Sequence, residues 1–437
     1  MKAAFVGFGE VNTPKKLIVK KCTDAAESLK KQGLELVEVF PVTDDYEEKD
    51  VRQAIENLQH KEFDTLILCV AGWIPTHAVV KITEEFRHVP MVLWGLCGWY
   101  EENRLVTTAD QAGTTALRKV LSDLGYSFIY VYDIIGKPTR AIRVATYCKA
   151  VTAAKKLRQS KAGMMGYRDM NLYGTLFDGL SLKKTVGPEI ETFDMLEMVQ
   201  RYENILEQSI QEVLNQEISK WTFLKRADED VLRKGVGYFL ALKQIIQERK
   251  FKAFSLKDVD GMKKLLGFPP AMIFMLLADT LGICTIPEND SLGSVTQMMV
   301  KFTTGQIGAY LEFYEFMEDR VLAGVPDYIP KEITAGETMV MPAAFGELSQ
   351  GLTMCRLTKT NDRYVMHLVK GEGVTPRKWE EVGWTQPAPQ LPGLEILMED
   401  VERFADNVMS QHYIISYGDH TQVLIDLCVL LGIEILQ

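Results

Sequence analysis

Two stretches of the chain put carboxylates where they could act on a ligand. Cys284-Thr285-Ile286-Pro287-Glu288-Asn289-Asp290 sets Glu288 and Asp290 directly after a short apolar run. Ala309-Tyr310-Leu311-Glu312-Phe313-Tyr314-Glu315-Phe316 carries Glu312 in the middle of a strand-like segment. In period-two alternation Glu312 shares a face with Tyr310, Tyr314 and Phe316, and Glu315 lies opposite with Leu311 and Phe313. A carboxylate among aromatics is costly unless it is paired, hydrogen-bonded or bound to a metal. The competing reading is a glutamate on an exposed strand face.

Six histidines are available for such chemistry. His60 and His88 sit among charged residues and read as solvated, while His367 alternates within Tyr364–Lys370. His77 follows Gly72-Trp73-Ile74-Pro75, at the C-terminal end of a strand, where open α/β sheets place ligands. His412 and His420 flank Tyr413-Ile414-Ile415-Ser416-Tyr417-Gly418-Asp419. Gly7 and Gly9 follow the first strand and invite a dinucleotide reading, but Asn12 stands where the third glycine of that fingerprint belongs. A plain strand-to-helix turn is the simpler reading. The P-loop, nucleophile-elbow and HExxH patterns are all absent.

The elements that must position these residues alternate strand and helix. Lys2–Gly7, Leu34–Phe40, Thr65–Ala71, Met91–Trp94 and Phe128–Val131 read as apolar strands, with Lys15–Gln32 and Lys49–His60 as helices between them. That pattern predicts a parallel sheet covered on both faces. A helix over Ala141–Lys161 leads to a second unit of the same kind, with a strand at Gly163–Tyr167, long helices at Met195–Gln216 and Asp228–Arg249, and strands at Phe251–Leu256, Cys284–Ile286 and Ala309–Phe316. Beyond Pro330, Thr338–Pro342, Leu352–Leu357 and Tyr364–Lys370 alternate in period two and predict antiparallel β structure. Pro376–Pro392 reads as an irregular loop, and Asp400–Met409, Tyr413–Ser416 and His420–Leu431 as a closing helix–strand–helix. The expected fold is therefore α/β: two doubly wound parallel-sheet domains, 1–155 and 156–330, followed by a β-rich, barrel-like C-terminal domain, 331–437.

Composition fits that frame. With 437 residues, 47% hydrophobic and 25% charged, the chain can bury large cores without disulfide staples. Its 49 basic and 59 acidic side chains give a net charge of −10, which disfavours nucleic acid and anionic membranes as partners. Seven scattered cysteines with no CxxC pair read as free thiols of a reducing compartment. The longest apolar stretch, Pro269 to Ile286, is broken by Asp279, and the N-terminus reads as a buried strand. A cytoplasmic location is expected.

At its acidic and histidine motifs the sequence resembles the L-fucose isomerase/L-arabinose isomerase family of metal-dependent aldose–ketose isomerases. Ile286-Pro287-Glu288-Asn289-Asp290 with Gly293-Ser294-Val295-Thr296-Gln297-Met298 resembles the family's acid-x-Asp-x-x-Gly-Ala-x-Thr-Met segment, whose glutamate is a metal ligand. Tyr310-Leu311-Glu312-Phe313-Tyr314 resembles the strand that carries the second metal carboxylate. Gln411-His412-Tyr413-Ile414-Ile415-Ser416-Tyr417-Gly418 resembles the C-terminal histidine motif. The arabinose branch has a further ligating histidine near Ala323-Gly324-Val325-Pro326, and none is present here. The pattern is thus nearer the fucose branch, although this chain is shorter, so the identity of the sugar does not carry over.

The resemblance implies Glu288, Glu312 and His412 on a metal, with Glu288 and Glu312 also acting as the acid/base pair. All three donors are expected to reach within about 2.0–2.3 Å of one point once their rotamers adjust. It further implies substrate contacts from Asp290, Tyr314, Trp73 and His77, with Asp290 either binding a sugar hydroxyl or orienting a metal ligand from behind, and a homo-oligomer with sites near subunit junctions. The chemistry suits these residue types. Moving a carbonyl between C1 and C2 needs a proton removed from one carbon and returned to the other, through an enediol or enediolate. Two carboxylates and an imidazole suit Mn²⁺, or Co²⁺ or Mg²⁺, better than a thiolate-rich zinc site would. The alternative is a non-catalytic carbohydrate-binding or regulatory protein on the same scaffold. A weaker one is a nucleotide-dependent oxidoreductase using Gly7 and Gly9.

Overall fold

Near-continuous apolar strands can be satisfied only by burial on both faces, and the N-terminal strands obtain it. In a computed structural model the described residues are 1–223, 227–324, 327–332, 339–340, 351–374 and 393–437. The chain divides into two compact units, Met1–Lys155 and Lys156–Gln437. In the first, β1 (Lys2–Phe8), β2 (Glu35–Val42), β3 (Thr65–Val70), β4 (Met91–Gly95) and β7 (Phe128–Tyr132) form a parallel sheet in the order β2-β1-β3-β4-β7. The order reverses between β1 and β3, as in doubly wound folds. A small hairpin, β5 (Trp99–Glu101) and β6 (Arg104–Val106), lies outside that sheet.

Gly7 and Gly9 serve packing. A Cβ on Gly7 would lie 2.4 Å from the Cys22 sulfur, and one on Gly9 would lie 2.5 Å from Ile18 Cδ1. Both partners belong to the helix Lys15–Lys31, which these glycines let settle on the sheet.

The second unit has two layers of different kind. β8 (Lys161–Met165), β9 (Glu189–Phe193), β11 (Ala253–Leu256) and β12 (Cys284–Ile286) make a four-stranded parallel sheet in the order β12-β11-β8-β9. β13 (Ala309–Phe316), β14 (Arg320–Gly324), β16 (Leu352–Thr360), β17 (Arg363–Val374), β18 (Gly393–Leu397) and β19 (His412–Tyr417) then close into a six-stranded antiparallel barrel in the order β16-β19-β13-β14-β18-β17, with β17 returning to β16. A final strand, β20 (Glu434–Leu436), adds parallel to β17. The helix Ser291–Thr304 is almost wholly buried, and it touches β11 and β12 on the sheet side and β16 and β19 on the barrel side.

The α/β class and the barrel are as expected, but several boundaries differ. The β-rich region begins at Ala309 rather than at 331, because β13 pairs with β19 and β14 with β18, so the barrel shares one unit with the sheet before it. The strand expected at Gly163–Tyr167 starts at Lys161, and the preceding helix stops at Arg158. The single helix expected over Met195–Gln216 is two, Met195–Tyr202 and Glu207–Gln216. Of Thr338–Pro342 only β15 (Met339–Val340) is described. It pairs in parallel with β10 (Thr222–Phe223), not within the barrel. Pro376–Pro392 lies outside the described residues. Among those described, no single helix is long and apolar enough to cross a membrane.

Candidate active site

Just past β12, Glu288 and Asn289 both adopt left-handed backbone conformations, with φ of 62° and 55°. Two successive non-glycine residues in that region are strained, the kind of strain found at ligand sites. Their turn leaves Glu288 at the C-terminal edge of the parallel sheet, the edge at which open α/β sheets bind ligands. Asp290 then caps the Ser291–Thr304 helix, accepting from Gly293 N at 2.9 Å.

The barrel supplies the other members. Glu312 on β13 and His412 on β19 are direct cross-strand partners. The His412 ring stands between two carboxylates, Nδ1 at 3.7 Å from Glu288 Oε2 and Nε2 at 3.5 Å from Glu312 Oε2. His412 is 3% exposed and Glu288 7%. His412 Nε2 and Glu288 Oε2 are buried without a hydrogen-bond partner. Gln411 donates to Glu312 Oε2 at 2.8 Å.

The environment drives the two carboxyls in opposite directions. Burial, then the neighbouring charges of Glu312 and Asp290, push Glu288 up to about 8. Burial alone would raise Glu312 as well, but the adjacent His412 imidazole and the hydrogen bond from Gln411 outweigh it and hold this carboxyl below its usual value. Paired carboxyls whose environments separate them in this way can divide the roles of acid and base.

Sequence reasoning missed three further residues beside this cluster. Asp258 follows β11, the strand that pairs with β12, and Asp327 follows β14. Lys263 Nζ lies 3.0 Å from Asp258 Oδ2 and 3.9 Å from Asp327 Oδ1. The remaining oxygens, Asp258 Oδ1 and Asp327 Oδ2, are buried and unpartnered, and both aspartates add to the upward push on Glu288. Burial, followed by the charge of Asp258, raises Asp327 itself to about 7. The signal was present at Asp258, which follows the apolar run Phe251–Leu256 as Glu288 follows Cys284–Ile286.

Of the two expected contacts nearest the cluster, Asp290 is left with the orienting role alone, and Tyr314 keeps its place beside Glu312. Asp290 has no oxygen free for a sugar hydroxyl, because Arg356 on β16 meets both of its oxygens, Tyr310 donates to Oδ2 at 2.9 Å and Gly293 to Oδ1. Tyr314 stands on the side of Glu312, because Glu312 pairs directly with Gly324 and the Tyr314 ring covers that glycine. The register shifts between Phe313 and Glu315, leaving Tyr314 on a bulge, its ring over Gly324, where an added Cβ would lie 2.0 Å from it. The same bulge returns Phe316 to the side of Phe313, whose ring it stacks on at 6.2 Å. The Tyr314 hydroxyl is buried and unpartnered.

Trp73 and His77 belong to the first unit, on the turn after β3 and at the start of the helix Thr76–Glu85. His420 is engaged by the Tyr417 carbonyl at 2.6 Å, and His367 by the Tyr413 hydroxyl at 2.5 Å.

The donor set fits a divalent cation: two carboxylates and an imidazole, a local surplus of negative charge, and two buried atoms without partners. The three side chains stand adjacent without closing. Among the described residues no group of three His, Cys, Asp or Glu is drawn together tightly enough to enclose an ion. The expected common point about 2.0–2.3 Å from each donor concerns rotamers adjusted around an ion, which these are not. No known protein-family description matches the chain, and no curated protein matches it.

Proposed function

We propose that this chain is a divalent-metal-dependent aldose–ketose sugar isomerase acting through an enediol or enediolate. The observation that carries the reading is the meeting of Glu288, Glu312 and His412. Three separate elements of the second unit bring them around one buried imidazole, with hydrogen-bonding capacity left unmet. A cation such as Mn²⁺, Co²⁺ or Mg²⁺ held by these three would supply Lewis-acid stabilisation to the oxygens on C1 and C2.

The protein's own residues handle the proton. Glu312, held in its ionised form, takes the proton from the carbon beside the carbonyl. Glu288, whose surroundings favour the protonated carboxyl, returns one to the neighbouring carbon. The sugar, free, phosphorylated or sulfonated, is a substrate of a cytoplasmic homo-oligomer with sites near subunit junctions, in which Trp73 and His77 contribute contacts to a neighbouring subunit's pocket.

The test is a panel of aldoses and substituted hexoses given to metal-stripped protein with Mn²⁺ restored. Ketose formation and solvent exchange of the C2 hydrogen are followed together. Formation of ketose with exchange supports the isomerase. Sugar binding with neither metal dependence nor exchange replaces it with the carbohydrate-binding alternative.

A further inference from the structure

Arg356 lies in the middle of β16 and is 1% exposed, a guanidinium sealed inside the molecule. Its charge is met by Asp290, with Nη2 donating to Oδ1 at 3.1 Å and Nη1 bonding Oδ2. A buried ion pair is a weak stability device, since apolar residues of similar volume often stabilise as well or better. The pair does, however, set geometry. Asp290 Oδ2 also accepts the Tyr310 hydroxyl at 2.9 Å, which fixes the far end of that side chain. The Tyr310 ring then lies on the His412 imidazole, centroids 4.3 Å apart and planes 16° from parallel. Arg356 Nη1 also lies 3.5 Å from the His412 carbonyl oxygen.

A histidine that must present one nitrogen to a metal or substrate is usually oriented by a hydrogen bond at the other nitrogen. Here Nε2 has no hydrogen-bond partner, and the nearest carboxylate to Nδ1 stands at 3.7 Å, beyond hydrogen-bond reach. The stack takes over the orienting task, because a ring clamped flat against a neighbour cannot tilt.

Resting on the isomerase reading for its effect on turnover, we propose that Arg356 is a positioning residue: through Asp290 and Tyr310 it fixes the plane of the His412 imidazole. The chain of contacts joins a barrel strand, a helix cap and a second barrel strand, so the ring is aimed by three elements at once.

Two variants test it. Tyr310→Phe keeps the ring but cuts its tie to Asp290, and Arg356→Lys keeps the charge but loses the two-pronged grip. The first readout is the imidazole NMR signal of His412 in metal-free protein, assigned against His412→Gln. The second is Mn²⁺ affinity by electron paramagnetic resonance. The expected result is a shifted or broadened His412 signal in both variants, with Mn²⁺ affinity lowered about 10–100-fold. A His412 signal and Mn²⁺ affinity unchanged in a folded Tyr310→Phe protein would overturn the proposal, whatever the melting temperature does. If Arg356→Lys does not fold, Tyr310→Phe alone decides. If the wild type neither binds Mn²⁺ nor isomerises any sugar, the isomerase reading fails, while the His412 signal still decides whether the clamp orients the ring.

Discussion

Both units of the chain carry buried charge beside a parallel sheet, and they treat it differently. In the first unit Asp110, at the start of the helix Asp110–Asp123, is 1% exposed and fully engaged: Lys21 pairs with it and Thr108 donates to it at 3.0 Å. The Thr108 hydroxyl also accepts from Lys21 at 2.8 Å, closing a three-membered network. In the second unit Glu288, Asp258, Asp327 and His412 each keep a buried polar atom with no hydrogen-bond partner, and the carboxylates repel one another. A satisfied network rigidifies a fold, whereas an unsatisfied one is a cost that a ligand can remove. The first arrangement reads as structure and the second as a site.

The largest effect that would sharpen this contrast is catalytic. Glu312→Gln keeps the shape of the side chain but removes its charge and proton-accepting capacity. Ketose formation is expected to fall by about 10²–10⁴ with Mn²⁺ affinity falling alongside and the fold intact. Retained activity in this variant would move the role to Glu315 or off β13 altogether.

The next effect is on stability and has opposite signs in the two units. Asp110→Asn strands the Lys21 ammonium and should cost about 3–5 kcal/mol in urea unfolding. Asp327→Asn relieves like-charge repulsion and should stabilise metal-free protein at pH 8 by about 1 kcal/mol. Destabilisation by both would erase the distinction between a closed network and an open one.

A third measurement follows pH. The Glu288 carboxyl ordinarily titrates at 4.5 and is pushed up to about 8 in the folded chain, first by burial. Between those values the folded state holds a proton that the unfolded state has released. The contribution of Glu288 to metal-free stability is therefore full below about pH 4.5 and is lost as pH rises through 8. Mn²⁺ should restore more of it at high pH than at low, and His412→Ala should flatten that metal-dependent gain.

The smallest effect concerns His367, which burial lowers from 6.5 to about 4. Its contribution is present above pH 6.5 and is lost as pH falls through 4, so His367→Gln should shallow the acid limb of the unfolding curve. No change there would mean another group governs acid unfolding of the barrel.

Much of this was readable in the chain because local pattern decided it. The alternation in residues 1–155 and the acid-after-strand motif at Glu288 depend on near neighbours alone. What escaped depends on distant partners. Arg356 sits in a segment read as an alternating strand, where an arginine would be taken for the solvent face, and its acid lies on another element altogether. Strands β14 and β18 are short and stand on either side of a long interval of chain, and their pairing forms one seam of the barrel. The break between Met195–Tyr202 and Glu207–Gln216 has neither proline nor glycine to announce it. Nor does anything in the residue types mark the bulge at Tyr314, where strict alternation would have carried Phe316 to the wrong face.

Glu312 and His412 owe their meeting to a single rung of the β13–β19 ladder. Side chains alternate faces along a strand, so a one-residue insertion or deletion in either strand sends one of the pair to the opposite side of the barrel wall. Length here is as heritable a trait as chemistry. Substitutions can be sampled one at a time along these strands, but changes of length can survive only in compensated pairs. The hairpins and loops away from that rung are where this chain is free to grow or shrink.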